Sequence, residues 1–209
     1  RLVRVLGHEI NNSLAPIKSI AETLRSMVQR DHRDVDVDEL NNGLKRIAER
    51  AHALGRFVGG YAALARLPEP VLQTFALAPL ASRVAAMEPR VAVELDGPEL
   101  EIEADPDQLE QALINLVKNA ADSLDDPRGS VKLQWRPNGT GTLIEVLDNG
   151  PGPPDSENLF VPFFTTKPGG SGIGLLLARR IAEMHEGWLT LEQRADGERG
   201  ACAQLWLPR

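Results

Sequence analysis

Two asparagines one helical turn apart, Asn115 and Asn119, stand on the polar side of the segment "ADPDQLEQALINLVKNAADSL" (residues 104–124). Gln111, Lys118 and Asp122 share that side. Exposed helical positions usually carry Glu, Lys or Ala, because asparagine is a weaker helix former. Amide oxygens at i and i+4 suit a hard cation such as Mg²⁺, or a water held by one; an ordinary solvated face is the alternative. Further on, "VLDNGPGPP" (146–154) ends an alternating run at Asp148. A carboxylate there accepts a hydrogen bond from an exocyclic amine, and Gly150 and Gly152 let backbone come close to a ring. A plain turn after a strand would look the same. "KPGGSGIGLLLARRIAEMHEG" (167–187) runs glycine-rich loop into helix, where free N–H groups and the helix dipole favour phosphate. Between them lies an apolar knot, "NLFVPFFTTK", with Thr165, Thr166 and Lys167 at its end. Some twenty aperiodic residues inside a compact domain mark a functional loop, so residues 150–172 are expected to form a lid.

Such groups need a scaffold. The 209 residues suffice for one sizeable domain or a small and a medium one, and 42% hydrophobic with 25% charged residues is ordinary for a globular chain. A net charge of −7 argues against a general grip on nucleic acid, which needs a basic surface. The single cysteine, Cys202, excludes an internal disulfide and suits a reducing compartment. No apolar run approaches the roughly 20 residues needed to cross a bilayer, so no membrane contact is expected from this stretch. The chain begins inside a helical pattern and reads as part of something longer.

Apolar residues recur every seven positions at the start. Val3, Ile10, Ile17 and Leu24 form one row, and Leu6, Ser13, Ile20 and Met27 the other. After the charged "RDHRDVDVDE" the pattern resumes with Leu40, Ile47, Leu54 and Tyr61 against Leu44, Ala51, Val58 and Ala65. This predicts an antiparallel helical hairpin over residues 1–66. A lone hairpin cannot cover both seams, so two copies are expected to pair as a four-helix bundle, a homodimer. "RLPEP" marks a linker over 67–72. Beyond it, over 73–209, strand-like runs ("VAVEL", "ELEIEA", "VKLQW", "TLIEVLD", "WLTLEQ", "CAQLWL") alternate with helical patterns near 77–87, 106–124 and 173–186. Asn138-Gly139 sits where a hairpin turn belongs. A mixed sheet with helices on one face follows. Asp105, Pro106 and Gln108 are spaced as N-cap, first-turn proline and capping-box partner, and Leu109, Leu113, Leu116, Ala120 and Leu124 form the stripe that should meet the sheet.

Taken in order, these segments resemble the catalytic core of a sensor histidine kinase over the whole chain, most closely the nitrogen-regulation type. Asn115 to Asn119 is similar to that family's N box, "DNGPG" to its G1 box, "FVPFFTTK" to its F box, "GSGIGL" to its G2 box and "GHEINN" to its H box. The resemblance implies a dimeric helical-hairpin domain followed by an α/β sandwich of the Bergerat (GHKL) ATP-binding fold. It implies Mg²⁺ and ATP as cofactors and the receiver domain of a response regulator as partner. Nucleotide contacts are then expected from Asn115, Lys118, Asn119, Asp122, Asp148, Gly150, Gly152, Phe160, Thr165, Thr166, Lys167, Gly170, Ser171, Gly172, Ile173, Gly174 and Leu175. The metal is expected at Asn119 and Asn115. Related ATPases of the gyrase or chaperone type lack a preceding histidine hairpin.

The heptad register puts His8 at f, furthest from the seam, where its imidazole points outward. A neutral imidazole attacks through one nitrogen when the other proton is held, and Glu9 is next to it. Asn12, one turn further, matches the family pattern linked to phosphatase activity. Pro16 frees the carbonyl of Asn12 and is expected to let the helix bend. Four positions depart from the family: Ser13 where proline is usual, Asp122 where lysine is frequent near the phosphates, and Cys202-Ala203 in place of Thr-Phe, which is expected to alter the floor of the adenine pocket.

Overall fold

The computed structural model describes residues 2–30, 36–65, 67–126, 129–153, 159–161, 165, 167 and 172–209. Within α1 and α2, the side chains of 2–9, 13, 30, 56, 57, 60, 61 and 63–65 lie outside the description. The chain divides into two compact units, residues 1–61 and 62–209.

The first unit holds α1 (Leu2–Arg30) and most of α2 (Val37–Ala65). The more covered residues follow the seven-residue rows: Leu24 is buried, and Ile10, Ile17, Ile20, Met27, Leu40, Ile47 and Leu54 are half-buried. The two helices touch where Leu24 lies over Gly43; a Cβ on that glycine would stand 2.6 Å from the Leu24 Cδ2. α1 continues through Pro16 as one helix. Asp36 starts α2 by accepting from the amides of Asp38 (2.9 Å) and Glu39 (3.2 Å).

The second unit follows as β1 (Gln73–Ala76), α3 (Leu77–Ala86), β2 (Val93–Asp96), β3 (Glu101–Ala104), α4 (Pro106–Ala121), β4 (Val131–Asn138), β5 (Gly141–Asp148), α5 (Gly174–Met184), β6 (Trp188–Gln193) and β7 (Ala201–Pro208). A five-stranded sheet has the order β2-β4-β5-β7-β6, with β2 and β4 parallel and the other pairs antiparallel. β1 and β3 make a separate antiparallel pair. This pair departs from the expected single sheet, because "QTFA" is too short to show a period of its own. The β4–β5 turn also falls one residue later than Asn138-Gly139: Asn138 pairs with Gly141, and Gly139 takes a positive φ of 60° at the first turn position.

Alternation sorts the sheet into two faces. Leu133, Trp135, Ile144, Val146, Leu189, Ala203, Leu205 and Leu207 join Leu77, Leu80, Val84, Leu109, Leu113, Leu116, Leu177 and Ile181 of α3, α4 and α5 in one core. Each such leucine or isoleucine contributes roughly 2–3 kcal/mol of burial. The opposite face carries a polar row centred on Glu145, which is 5% exposed. Its carboxylate accepts from Gln134 (2.9 Å), Gln204 (2.9 Å) and Arg136 (2.5 Å). Cys202 belongs to this row, not to the helical face, so it cannot form a floor under a site built on α4. Burial, then the Glu145 carboxylate beside it, pushes the Cys202 thiol up to about 12. Ala203, by contrast, lies in the core.

Candidate nucleotide site

The site grows from α4. Asp105 caps its N-terminus, accepting from the amides of Asp107 (3.1 Å) and Gln108 (3.0 Å), with Pro106 in the first turn. The expected capping box does not close. The Gln108 amide donates instead to the Pro68 carbonyl at 3.0 Å, and the Asp105 amide donates to Nε2 of buried His185 at 3.0 Å. The second Asp105 oxygen accepts from Val71 at 2.9 Å, so the 67–72 segment is tied to the start of α4. Burial raises the Asp105 carboxyl, but the three amides from Val71, Gln108 and Asp107 outweigh it and hold the group below its usual range.

Leu109, Leu113, Leu116 and Ala120 are buried as their spacing predicts, which turns Asn115, Lys118, Asn119 and Asp122 the other way. Three later segments converge on that side. Gly174 opens α5 so close that a Cβ would stand 3.0 Å from Asn115 Oδ1; the Asn115 nitrogen donates back to Gln111 at 2.9 Å. Gly150 lies against the C-terminal end of α4, where a Cβ would come within 2.7 Å of the Ser123 carbonyl. Lys167 reaches Asn119, its ammonium donating to the backbone oxygen (2.6 Å) and to Oδ1 (2.9 Å).

Asp148 ends β5 at 5% exposure. One oxygen accepts from the amides of Gly150 (2.9 Å) and Ala201 (3.2 Å), which fixes the carboxylate plane. The described residues give its other oxygen no hydrogen bond, leaving it for an exterior donor. Gly152 has a φ of 90°, a conformation that favours glycine, with Gln193 where a side chain would go. Phe160 is half-buried against the core under Arg179, whose guanidinium carbon lies 4.8 Å from the ring centre. Thr165 Oγ1 accepts from the Lys167 amide at 3.1 Å. Gly172 has a φ of 62°, Ile173 is buried at the N-cap of α5 and Leu175 packs on the core. Thr166, Gly170, Ser171 and most of the expected lid fall outside the described residues. His8 and Glu9 lie in α1 at positions whose side chains are likewise outside them; Asn12 is exposed.

Sequence reasoning missed Arg90. It donates to Asp122 at 2.6 Å and grips Glu88 through Nε (2.7 Å) and its terminal nitrogen (2.6 Å). The hydrogen bonds to Glu88, then to Asp122, raise the guanidinium's already high pKa and keep it charged. Asp122, which stands where the resemblance implies lysine, is therefore paired with a cation 32 residues upstream that it shares with Glu88. No local pattern announces such a pair.

Among the described residues no cluster of three or more His, Cys, Asp or Glu offers a metal site. A divalent ion here would rely on Asn119 Oδ1 and on the phosphates it accompanies. That donor set suits Mg²⁺, which keeps waters and leans on substrate oxygens.

Residues 104–209 match the histidine kinase-, DNA gyrase B- and HSP90-like ATPase family. The chain belongs to that family. Over 219 aligned residues it is 31% identical to nitrogen regulation protein NtrY of Azorhizobium caulinodans, covering 99% of this chain and 28% of NtrY. It is 30% identical to sensor histidine kinase ZraS of Salmonella typhimurium, covering 97% of this chain and 44% of ZraS. Histidine kinase ThkA, solved in complex with response regulator protein TrrA, superposes with a TM-score of 0.71 at 25% identity, covering 99% of this chain and 60% of ThkA. The chain thus spans less than half the length of these curated relatives. Among the described residues no helix is long and apolar enough to cross a membrane.

Proposed function

We propose that this chain is the kinase core of a two-component sensor: it phosphorylates His8 from ATP and passes the phosphoryl group to a response-regulator aspartate. The observation that carries the reading is the convergence of Gly150, Lys167 and Gly174 on the asparagine face of α4. Fixed Asp148 takes the exocyclic amine of adenine, and Gly150 and Gly152 admit the ring. Gly172 to Leu175, with Gly170 and Ser171, supply backbone donors for phosphate at the start of α5. Thr165, Thr166 and Lys118 line the phosphates, and Phe160 seats the loop. Asn119, with Asn115 behind it, would hold Mg²⁺, which would supply charge neutralisation on the nucleotide's phosphates.

In the transfer, a lone pair on the His8 imidazole forms the N–P bond as the bond from γ-phosphorus to ADP breaks. Glu9 takes the proton from the other ring nitrogen, so the phosphorylated ring stays uncharged. A receiver aspartate then accepts the phosphoryl group and restores the histidine. Asn12, exposed one turn along, holds water in line with the regulator's phospho-aspartate and so supports dephosphorylation.

The homodimer rests on the α2 row that stays open: Leu44 is 51% exposed and Val58 44%, with Ala51 exposed between them. A second copy covers this row in a four-helix bundle. The domains are then residues 1–66 for dimerisation and phosphotransfer, a linker over 67–72 and an ATP-binding domain over 73–209. We place the chain on the cytoplasmic side of a longer sensor.

Incubation with γ-labelled ATP and Mg²⁺ tests the reading. Label should be stable to base, labile to acid and absent from His8→Gln, whose nucleotide affinity should stay within about twofold. Labelling that persists in His8→Gln would remove His8 as acceptor. Asn12→Ala should lose regulator dephosphorylation while self-labelling continues; a parallel loss of both with thermal midpoint would make Asn12 structural.

A further inference from the structure

The Lys167 ammonium is placed on the oxygen that the proposed function gives to the metal. It donates to Oδ1 of Asn119 at 2.9 Å and to the backbone oxygen of the same residue at 2.6 Å. That backbone oxygen is one of the carbonyls a helix end leaves without an internal partner. The next amides pass it by: Asp122 donates to Lys118 and Ser123 to Ala120. Lys167 is itself held by Thr165 through its amide at 3.1 Å, and it is half-buried. Burial pulls its pKa down, while Asp122 and Asp148 nearby pull it up and Arg90 pulls it down. The ammonium is thus embedded in the charge balance of the site rather than trailing in solvent.

A helix C-terminus attracts cations, and a simple cap would account for the backbone contact. It does not account for the choice of Asn119 Oδ1. Mg²⁺ binds oxygen at about 2.0–2.1 Å. A dication and an ammonium cannot share one amide oxygen at these distances, since each repels the other across a partly dehydrated site.

We infer that Lys167 is a resident cation of the Asn119 site, exchanged for the divalent metal when nucleotide binds, and that the exchange releases its ammonium to the phosphates. This rests on the assignment of Asn119 as metal ligand. Metal loading and delivery of the phosphate-binding lysine become one event: the ion displaces the lysine from Oδ1, and the four-methylene arm then meets the oxygens that arrive with the ion. Lys167 is a positioning residue in this account, acting through Asn119 before it touches substrate.

The full chain without nucleotide, titrated with Mn²⁺ and read by the electron paramagnetic signal of the free ion, tests the exchange. Lys167→Met should bind Mn²⁺ about tenfold more tightly than the unsubstituted chain, because a competing charge is gone. The same variant should bind metal-free ATP as tightly as the parent, because without the ion the ammonium stays on Asn119 and makes no phosphate contact to lose. A gain for the metal with no loss for metal-free nucleotide is the diagnostic. Lys167→Gln keeps a hydrogen-bond donor without the charge and should share the gain in Mn²⁺ affinity; a mere cap would leave it like the parent. Unchanged or weaker Mn²⁺ binding in both variants overturns the exchange. Asn119→Ala separates this from failure of the underlying assignment. If Asn119→Ala abolishes the effect of Mn²⁺ on ATP affinity while the Lys167 variants show no gain, Asn119 remains the ligand and only the exchange fails. If the Mn²⁺ effect survives Asn119→Ala, the ligand assignment fails and the exchange falls with it.

Discussion

The two units solve the burial problem differently. In residues 62–209, α3, α4 and α5 cover one sheet face and leave leucines at positions 77, 80, 113 and 205 at 1% exposure or less. In residues 1–61, Leu24 is the one buried apolar residue among those described, while Leu14, Leu44 and Val58 are 46%, 51% and 44% exposed. One unit finishes its core within a single chain. The other leaves apolar residues of its described seams open, the row that the proposed homodimer would cover.

The contrast is most strongly tested by charging the open row. Leu44→Asp together with Val58→Asp should raise the dimer dissociation constant about a thousandfold, near 4 kcal/mol, by burying unpaired carboxylates. Sedimentation equilibrium reads this, and nucleotide affinity should not move; an unchanged dimer would place the interface elsewhere. Leu113→Ala attacks the other unit and should cost about 3 kcal/mol, visible as a lower thermal midpoint independent of protein concentration. A concentration-dependent loss would mean the units are not separately stabilised. Asp105→Ala removes a cap and the tie to Val71 and should cost about 1–2 kcal/mol. Its pH dependence has a definite sign. The folded carboxyl titrates below its unfolded value near 3.9, so its contribution is full above that pH and fades as pH falls through the folded value. The acid limb of stability should therefore flatten in Asp105→Ala relative to the parent. The smallest effect is expected from Arg90→Met, which leaves Asp122 uncompensated at the phosphates and should weaken ATP binding about threefold, with recovery in Arg90→Met/Asp122→Asn. Calorimetry that finds no loss would confine Arg90 to tying Glu88 and Asp122 together.

Periodicity made most of the second unit legible. The stripe Leu109–Leu113–Leu116–Ala120 is buried where its spacing puts it, and "WLTLEQ" is a strand over Trp188–Gln193. β1 was not legible, because four residues carry too little alternation to stand out. Asp105 was readable as a cap, since capping is local. The true partners of Gln108 and of the Asp105 amide, Pro68 and His185, were not, since both are brought in by packing across distant sequence. The same limit hid Arg90, and it assigned Cys202 to a pocket floor when its strand register turns it to the opposite face. The asparagines, Asp148 and the glycines stood out because each breaks a local preference at a position where a regular element would have chosen otherwise.

The burial of Cys202 also has a practical side. It is this chain's single sulfhydryl, and its burial beside Glu145 disfavours the reactive thiolate, pushing its pKa up to about 12. Maleimide and nitroxide reagents should pass it over. A cysteine introduced at an exposed position, such as Val161 beside Phe160 or Leu14 on α1, would then take a probe alone, with no need to remove the native thiol and disturb the Glu145 row. The chain is in effect already a cysteine-free background, ready for distance measurements between its hairpin and its nucleotide site as ATP is added.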